Sequence, residues 1–164
     1  MSAESVINAA KFAWDVIKDG KPAADLTSTT ANAVPQVDDW QSLTDTQARP
    51  NAFRMKYNVS YVWPLDDYDH VQLQIVLKWD FGARYHGGGA FIPNVWVEVP
   101  ECFVGSGWDV NLRLTAQNPT NTGASGSPLA RIPVTVKGTV SSGLELYHVE
   151  WAFVLFGDGT STTS

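Results

Sequence analysis

The chain has 164 residues, 44% of them hydrophobic, with 11 Lys and Arg against 17 Asp and Glu and a formal net charge of −6. That length fits one domain, residues 1–164, able to bury a core without staples. An acidic balance with no basic run excludes a nucleic-acid partner, which needs a positive face. The single cysteine, Cys102, excludes an intramolecular disulfide and reads as a small buried hydrophobe.

The first element is predicted from Ala3 to Lys18 within residues 1–20. On a helical wheel Glu4, Asn8, Lys11, Asp15 and Lys18 form one narrow polar stripe. Val6, Ile7, Phe12, Trp14 and Ile17, with alanines between them, spread over the remaining arc of roughly 220°, wider than the ~100° a surface helix needs. Ser2 can cap its start, and Lys18, Gly20 and Pro22 mark its end. Such an amphipathic α-helix wants apolar surroundings on more than one side: its own core, a neighbouring subunit in a homo-oligomer, or a lipid interface. The stripe is charge-balanced by Glu4 and Asp15, whereas a membrane-surface helix usually carries Lys and Arg. "MSAES" has no basic n-region and the apolar segment behind it carries charges, so it is not a Sec signal peptide. The expectation is synthesis in the cytoplasm and, for any export, a non-classical route.

Through "VINAAKFAWDVIK", Val6 to Lys18, the sequence resembles the N-terminal segment of the actinoporins, the pore-forming cytolysins of sea anemones. The similarity lies in a Val-Ile pair, small residues, the aromatic Trp14, then Asp15, two aliphatics and Lys18, and covers thirteen of 164 residues. The resemblance implies a compact β-sandwich whose N-terminal helix detaches to line a membrane pore. Beyond Gly20 the family's headgroup site and its run of tyrosine and tryptophan cannot be aligned, so no binding residue carries over.

Residues 21–52 read as connections plus an edge strand near "DLTSTTANAV". Period two then takes over: Phe53, Met55, Tyr57, Val59 and Tyr61 alternate with polar residues, and Val71 to Phe81 does the same. The pattern recurs around Val97, Leu112, Val134 and Trp151. The connections are rich in Gly, Pro and Asn and leave no room for crossover helices, so the prediction is a mainly β fold, an antiparallel β-sandwich of six to eight strands over residues 53–157. A closed barrel is the alternative, and residues 158–164 read as a loose tail.

Chemical motifs are weak. "HGGG" at His86 to Gly89 echoes an esterase oxyanion loop, but "GASGS" at 123–127 lacks the last glycine of a nucleophile elbow and no alternating helices surround it. "DDYDH" at 66–70 lacks the glycine and terminal Glu of a calcium loop. His70, His86 and His148 show no zinc spacing. No cofactor or metal is implied, and the expected class is a non-enzymatic binding protein.

The aromatics point further. Trp79 and Trp151 are in phase with their apolar faces, whereas Trp96 is out of phase and Trp108 lies where a strand begins. With Arg84, Tyr85 and His86, they form the candidate ligand-binding set, suited to stacking on a sugar or seating at lipid-headgroup level. The expected partner is a lipid headgroup or a glycan. The functional alternatives are a pore-forming membrane protein, a lectin-like module and a self-assembling structural subunit.

Overall fold

The computed structural model describes residues 6–8, 12–16, 31–35, 43–63, 66–124 and 126–164. Among the described residues fourteen strands, more than the six to eight expected because short edge strands pair beside the long ones, build two antiparallel sheets. The first sheet holds β1 (Val6–Asn8), β3 (Ala31–Pro35), β4 (Leu43–Thr44), β5 (Gln47–Ala48), β6 (Phe53–Trp63), β7 (Asp66–Phe81), β8 (Ala83–Tyr85) and β9 (Gly88–Val104). The second runs β14 (Ser161–Thr163), β13 (Leu146–Phe156), β12 (Ala130–Ser142), β10 (Trp108–Ala116), β2 (Phe12–Val16), with β11 (Thr120–Asn121) also on β12.

The alternation decides which side chains meet. Leu73, Ile75, Leu77 and Trp79 of β7 and Val95 and Val97 of β9 face Leu112, Leu114, Val134, Val136 and Leu155 of the second sheet in one core. Across the gap the Phe53 and Phe153 rings lie 4.3 Å apart, and Tyr57 meets Trp151 edge-on at 6.5 Å. Trp79 is wholly buried, stacks with Phe53 at 5.8 Å and has the Arg49 guanidinium 5.4 Å from its ring centre. Its Nε1 has no acceptor among the described residues. That costs about 1–3 kcal/mol, less than the ~4–6 kcal/mol from removing an indole-sized apolar surface from water.

Backbone bonds join the sheets at one end. Gly82 donates to Gly157 O at 2.7 Å and Ala90 donates to Pro128 O at 2.8 Å, while the Gly157 N–H, within the second sheet, donates to Ala130 O at 2.8 Å. At the opposite end Gly105 donates to His70 O at 2.7 Å beneath the turn from β9 to β10.

Within the segment expected as a helix over Ala3 to Lys18, the described residues are not helical. Its described residues are extended: Val6 and Ile7 stand in β1, and Phe12 and Trp14 in β2; Ile17 and the rest of the segment lie outside the described residues. Phe12, Trp14 and Val16 alternate with Ala13 and Asp15, so period two fits these five residues as well as 3.6 does. The open edge of β10 decides between them, setting Phe12, Trp14 and Val16 opposite Leu114, Leu112 and Val110. Aromatic and β-branched residues favour that pairing, and tertiary contacts routinely override helical propensity.

The tail also differs. Asp158–Gly159 turns the chain, with Gly159 at φ +87°, and returns β14 onto Phe153–Leu155. Asp-Gly is a strong hairpin signal, which explains why residues expected to be loose are paired.

Candidate functional site

The five residues of the expected ligand-binding set occupy three separate places along the sandwich. Arg84, Tyr85 and His86 lie at the end where Gly157 joins the sheets. His86 and Gly87 have φ of +49° and +73°, and Tyr85 pairs with Gly88, so His-Gly forms the two-residue turn between β8 and β9. Two positive φ values are what a type I′ hairpin requires. The "HGGG" motif therefore serves hairpin geometry, and His86 is held exposed at the tip with the Tyr85 ring 4.1 Å away.

Around this tip the glycines line two neighbouring hollows. One, of about 560 Å³, is bounded by Asp45, Gln47, Gly82, Arg84, Gly157 and Asp158. The other, of about 540 Å³, lies between Gly87–Gly89 and the loop carrying Gly123, Gly126 and Ser127, and again includes Arg84 and Asp158. Arg84 is exposed and approaches Asp45 only loosely, at 3.8 Å. Asp158 accepts from the Thr160 N–H and hydroxyl at 2.9 and 2.6 Å. The result is a shallow groove with a cation, two carboxylates, an aromatic and much exposed backbone.

Trp96 sits midway along β9, directly opposite Lys78 on the outer face. Its Nε1 donates to Glu98 at 3.1 Å, and Lys78 pairs with the other Glu98 oxygen at 2.7 Å. These two donors hold the Glu98 carboxyl below its ordinary pKa, the Lys78 bond contributing most. The indole donor is thereby engaged within the protein.

Trp108 is at the far end and is buried, with 6% exposure. It stacks with His70, at 5.4 Å and 22°, and with Tyr147, at 6.3 Å and 15°. Asp69, beside His70 in the "DDYDH" stretch, accepts from Ser60 at 2.5 Å and from Gln72, and these bonds lower its pKa. Among the described residues no three His, Cys, Asp or Glu side chains converge as metal ligands. Cys102 is half-buried and burial raises its thiol pKa, which disfavours the reactive thiolate.

Sequence reasoning missed the surface that stands beside Trp108. The exposed large hydrophobics among the described residues are Phe103, Leu144, Leu146 and Tyr147, at 42%, 98%, 60% and 38% exposure. All four belong to the same end: Phe103 is the penultimate residue of β9, and the others belong to the hairpin between β12 and β13, with Tyr147 stacked on Trp108. The hairpin is held by its first residue. Ser142 Oγ accepts from the Leu144 and Glu145 N–H groups at 3.3 and 3.2 Å, and Ser142 donates its own N–H to Glu145 O at 2.8 Å. This Ser-Gly turn projects Leu144 outward instead of folding it back. The signal in "SSGLELYH" was a pair of leucines in a turn where polar residues are usual. Comparison with known proteins finds no matching family model, no matching curated protein and no matching solved structure.

Proposed function

We propose that the protein is a non-enzymatic binding module directed to a membrane surface, engaging lipid through the apolar tip at Leu144, Leu146, Tyr147 and Phe103. The observation that carries this reading is that the large exposed hydrophobics among the described residues lie at one end, three of them on the hairpin between β12 and β13 and the fourth near the end of β9. Contiguous exposed apolar groups mark interaction sites. Four side chains on a convex tip are few beside the ~20–30 residues per side of a stable protein interface, whereas two leucines with an aromatic rim suit the headgroup–acyl boundary. Burying a Leu gains about 1.5–3 kcal/mol, so a tip of this size supports weak, reversible binding.

Co-sedimentation with phosphatidylcholine vesicles tests the reading, comparing the wild type with the Leu144→Glu, Leu146→Glu double variant. Both positions are exposed, so the fold is expected to survive. Loss of vesicle binding is the expected result; equal binding by the variant, or no binding by the wild type, overturns it. The same vesicles loaded with dye examine the pore-forming version, in which β1 and β2 leave β3 and β10 and the sequence from Ala3 to Lys18 forms an amphipathic helix in lipid. Release by the full chain and none by a chain beginning at Lys21 is its signature.

The glycine-lined groove favours a second reading, a lectin-like module. Arg84, Asp45 and Asp158 supply donors and acceptors for vicinal hydroxyls, Tyr85 and His86 supply ring faces, and bare glycine backbone permits close approach.

A further inference from the structure

The outer face of the second sheet carries a cavity that neither reading uses. It has a volume of about 320 Å³ and is lined by Asn111 and Arg113 of β10, Lys137, Gly138 and Thr139 of β12, and His148, Val149 and Glu150 of β13. The strand register makes Arg113 and Lys137 direct cross-strand neighbours. Like charges placed opposite one another destabilise a sheet. Neither cation forms an ion pair among the described residues. Glu150 stands opposite Lys137 on the other side and is the one carboxylate among the described lining residues, which thus hold two cations against one anion in a protein of net charge −6; Asp15 of β2 stands opposite Asn111 in the register.

Gly138 contributes to the hollow. A Cβ at Gly138 would come within 1.8 Å of Asn111 O, so β10 approaches β12 closely at a position that only glycine allows. Thr139 and His148, directly opposite one another, add hydrogen-bonding groups on the side away from Arg113.

We infer that this cavity is an oxyanion site, in which the Arg113 guanidinium and Lys137 ammonium together bind a phosphate or sulfate group. Arg offers a planar fork and Lys a point charge, a complementary pair for a tetrahedral oxyanion. Placing an anion between them converts the cross-strand repulsion into two charge-assisted hydrogen bonds. The same chemistry is presented by free phosphate and by a phospholipid headgroup.

Titration of the full chain with sodium phosphate at constant ionic strength, followed by amide NMR, tests the inference. Saturable shifts confined to residues 111–113, 137–139 and 148–150 are expected, with none from chloride. The Arg113→Gln, Lys137→Gln double variant is expected to bind at least about tenfold more weakly, and Glu150→Gln, which removes the competitor for Lys137, to bind more tightly. Shifts that are linear, scattered or equally produced by chloride overturn the site, as does a double variant that binds like the wild type. Vesicles containing phosphatidylglycerol, added in place of phosphate, identify the source. If they shift the same amides and lose this in the double variant, the phosphate is lipid-borne; if they leave those amides unmoved, the site serves a free anion. The Leu144→Glu, Leu146→Glu variant leaves the free-phosphate titration unchanged, which separates failure of this site from failure of the tip.

Discussion

Gly157→Ala probes the junction that holds the two sheets at one end. A Cβ built on Gly157 lies 2.0 Å from Ala90 O and 2.5 Å from Ala90 C. Real Cβ atoms essentially never approach an oxygen closer than 3.0 Å, so the two backbones must part by about 1.0 Å. The Gly157–Ala130, Gly82–Gly157 and Ala90–Pro128 bonds are 2.7–2.8 Å long, and stretching any one of them by that much breaks it. A buried backbone group left unpaired costs about 1–3 kcal/mol, and Ala recovers about 0.4–1 kcal/mol by restricting the unfolded chain. With one bond lost at both its groups, the net destabilisation is about 2–5 kcal/mol, out of the ~5–15 kcal/mol that holds a typical domain. For a chain of this size that lowers Tm by roughly 4–20 °C. Urea unfolding beside Gly143→Ala isolates the steric part, because nothing lies within 4 Å of a Cβ at Gly143. A difference between the two variants below about 1 kcal/mol would refute the reasoning that close approach, and not chain flexibility, fixes glycine at 157.

Glu98 gives a pH-dependent readout. Its folded pKa is depressed by Lys78 and then Trp96, so its stabilisation is fully present above the unfolded carboxylate value of about 4.3 and is lost as pH falls through the folded value. NMR titration of Trp96→Phe is expected to move the Glu98 midpoint upward, and an unchanged midpoint would rule out the indole bond in solution. For the glycine-lined groove, wild type on a glycan array is expected to bind a subset of sugars and Arg84→Ala to lose them; retention by the variant would remove the cation from that reading.

Most of the β architecture was legible because alternation survives wherever one face of a strand is buried. Val71 to Phe81 and Tyr147 to Leu155 announce themselves in this way, and both are strands. The glycine- and proline-rich stretches were harder. "PECFV" reads as a connection, yet it continues β9 to Val104, because the register of β9 against β7 shifts between Gln74 and Val76 and accommodates the irregularity. Phe12 to Val16 was ambiguous for a different reason: five residues satisfy both periods, and the edge of β10 that decides between them lies about a hundred residues away. The ligand-binding set was chosen by residue type and nearness in sequence. Nearness fails along a strand, where Trp96 and Trp108 are carried far from His86. Arg113 and Lys137 carried no local signal at all, since only strand register makes them neighbours.

The length of β9 has an electrostatic consequence. Its seventeen residues run from the His86 hairpin to the turn before Trp108, a span of roughly 50 Å at strand rise. At physiological ionic strength the Debye length is about 8 Å, so the glycine-lined end and the apolar tip are separated by several screening lengths. Charge added or removed at one end is invisible to the other. Substitutions at Arg84, Asp45 or Asp158 therefore change the charge of that groove without altering the electrostatic surroundings of Leu144 and its neighbours, and the two ends can be engineered as independent surfaces.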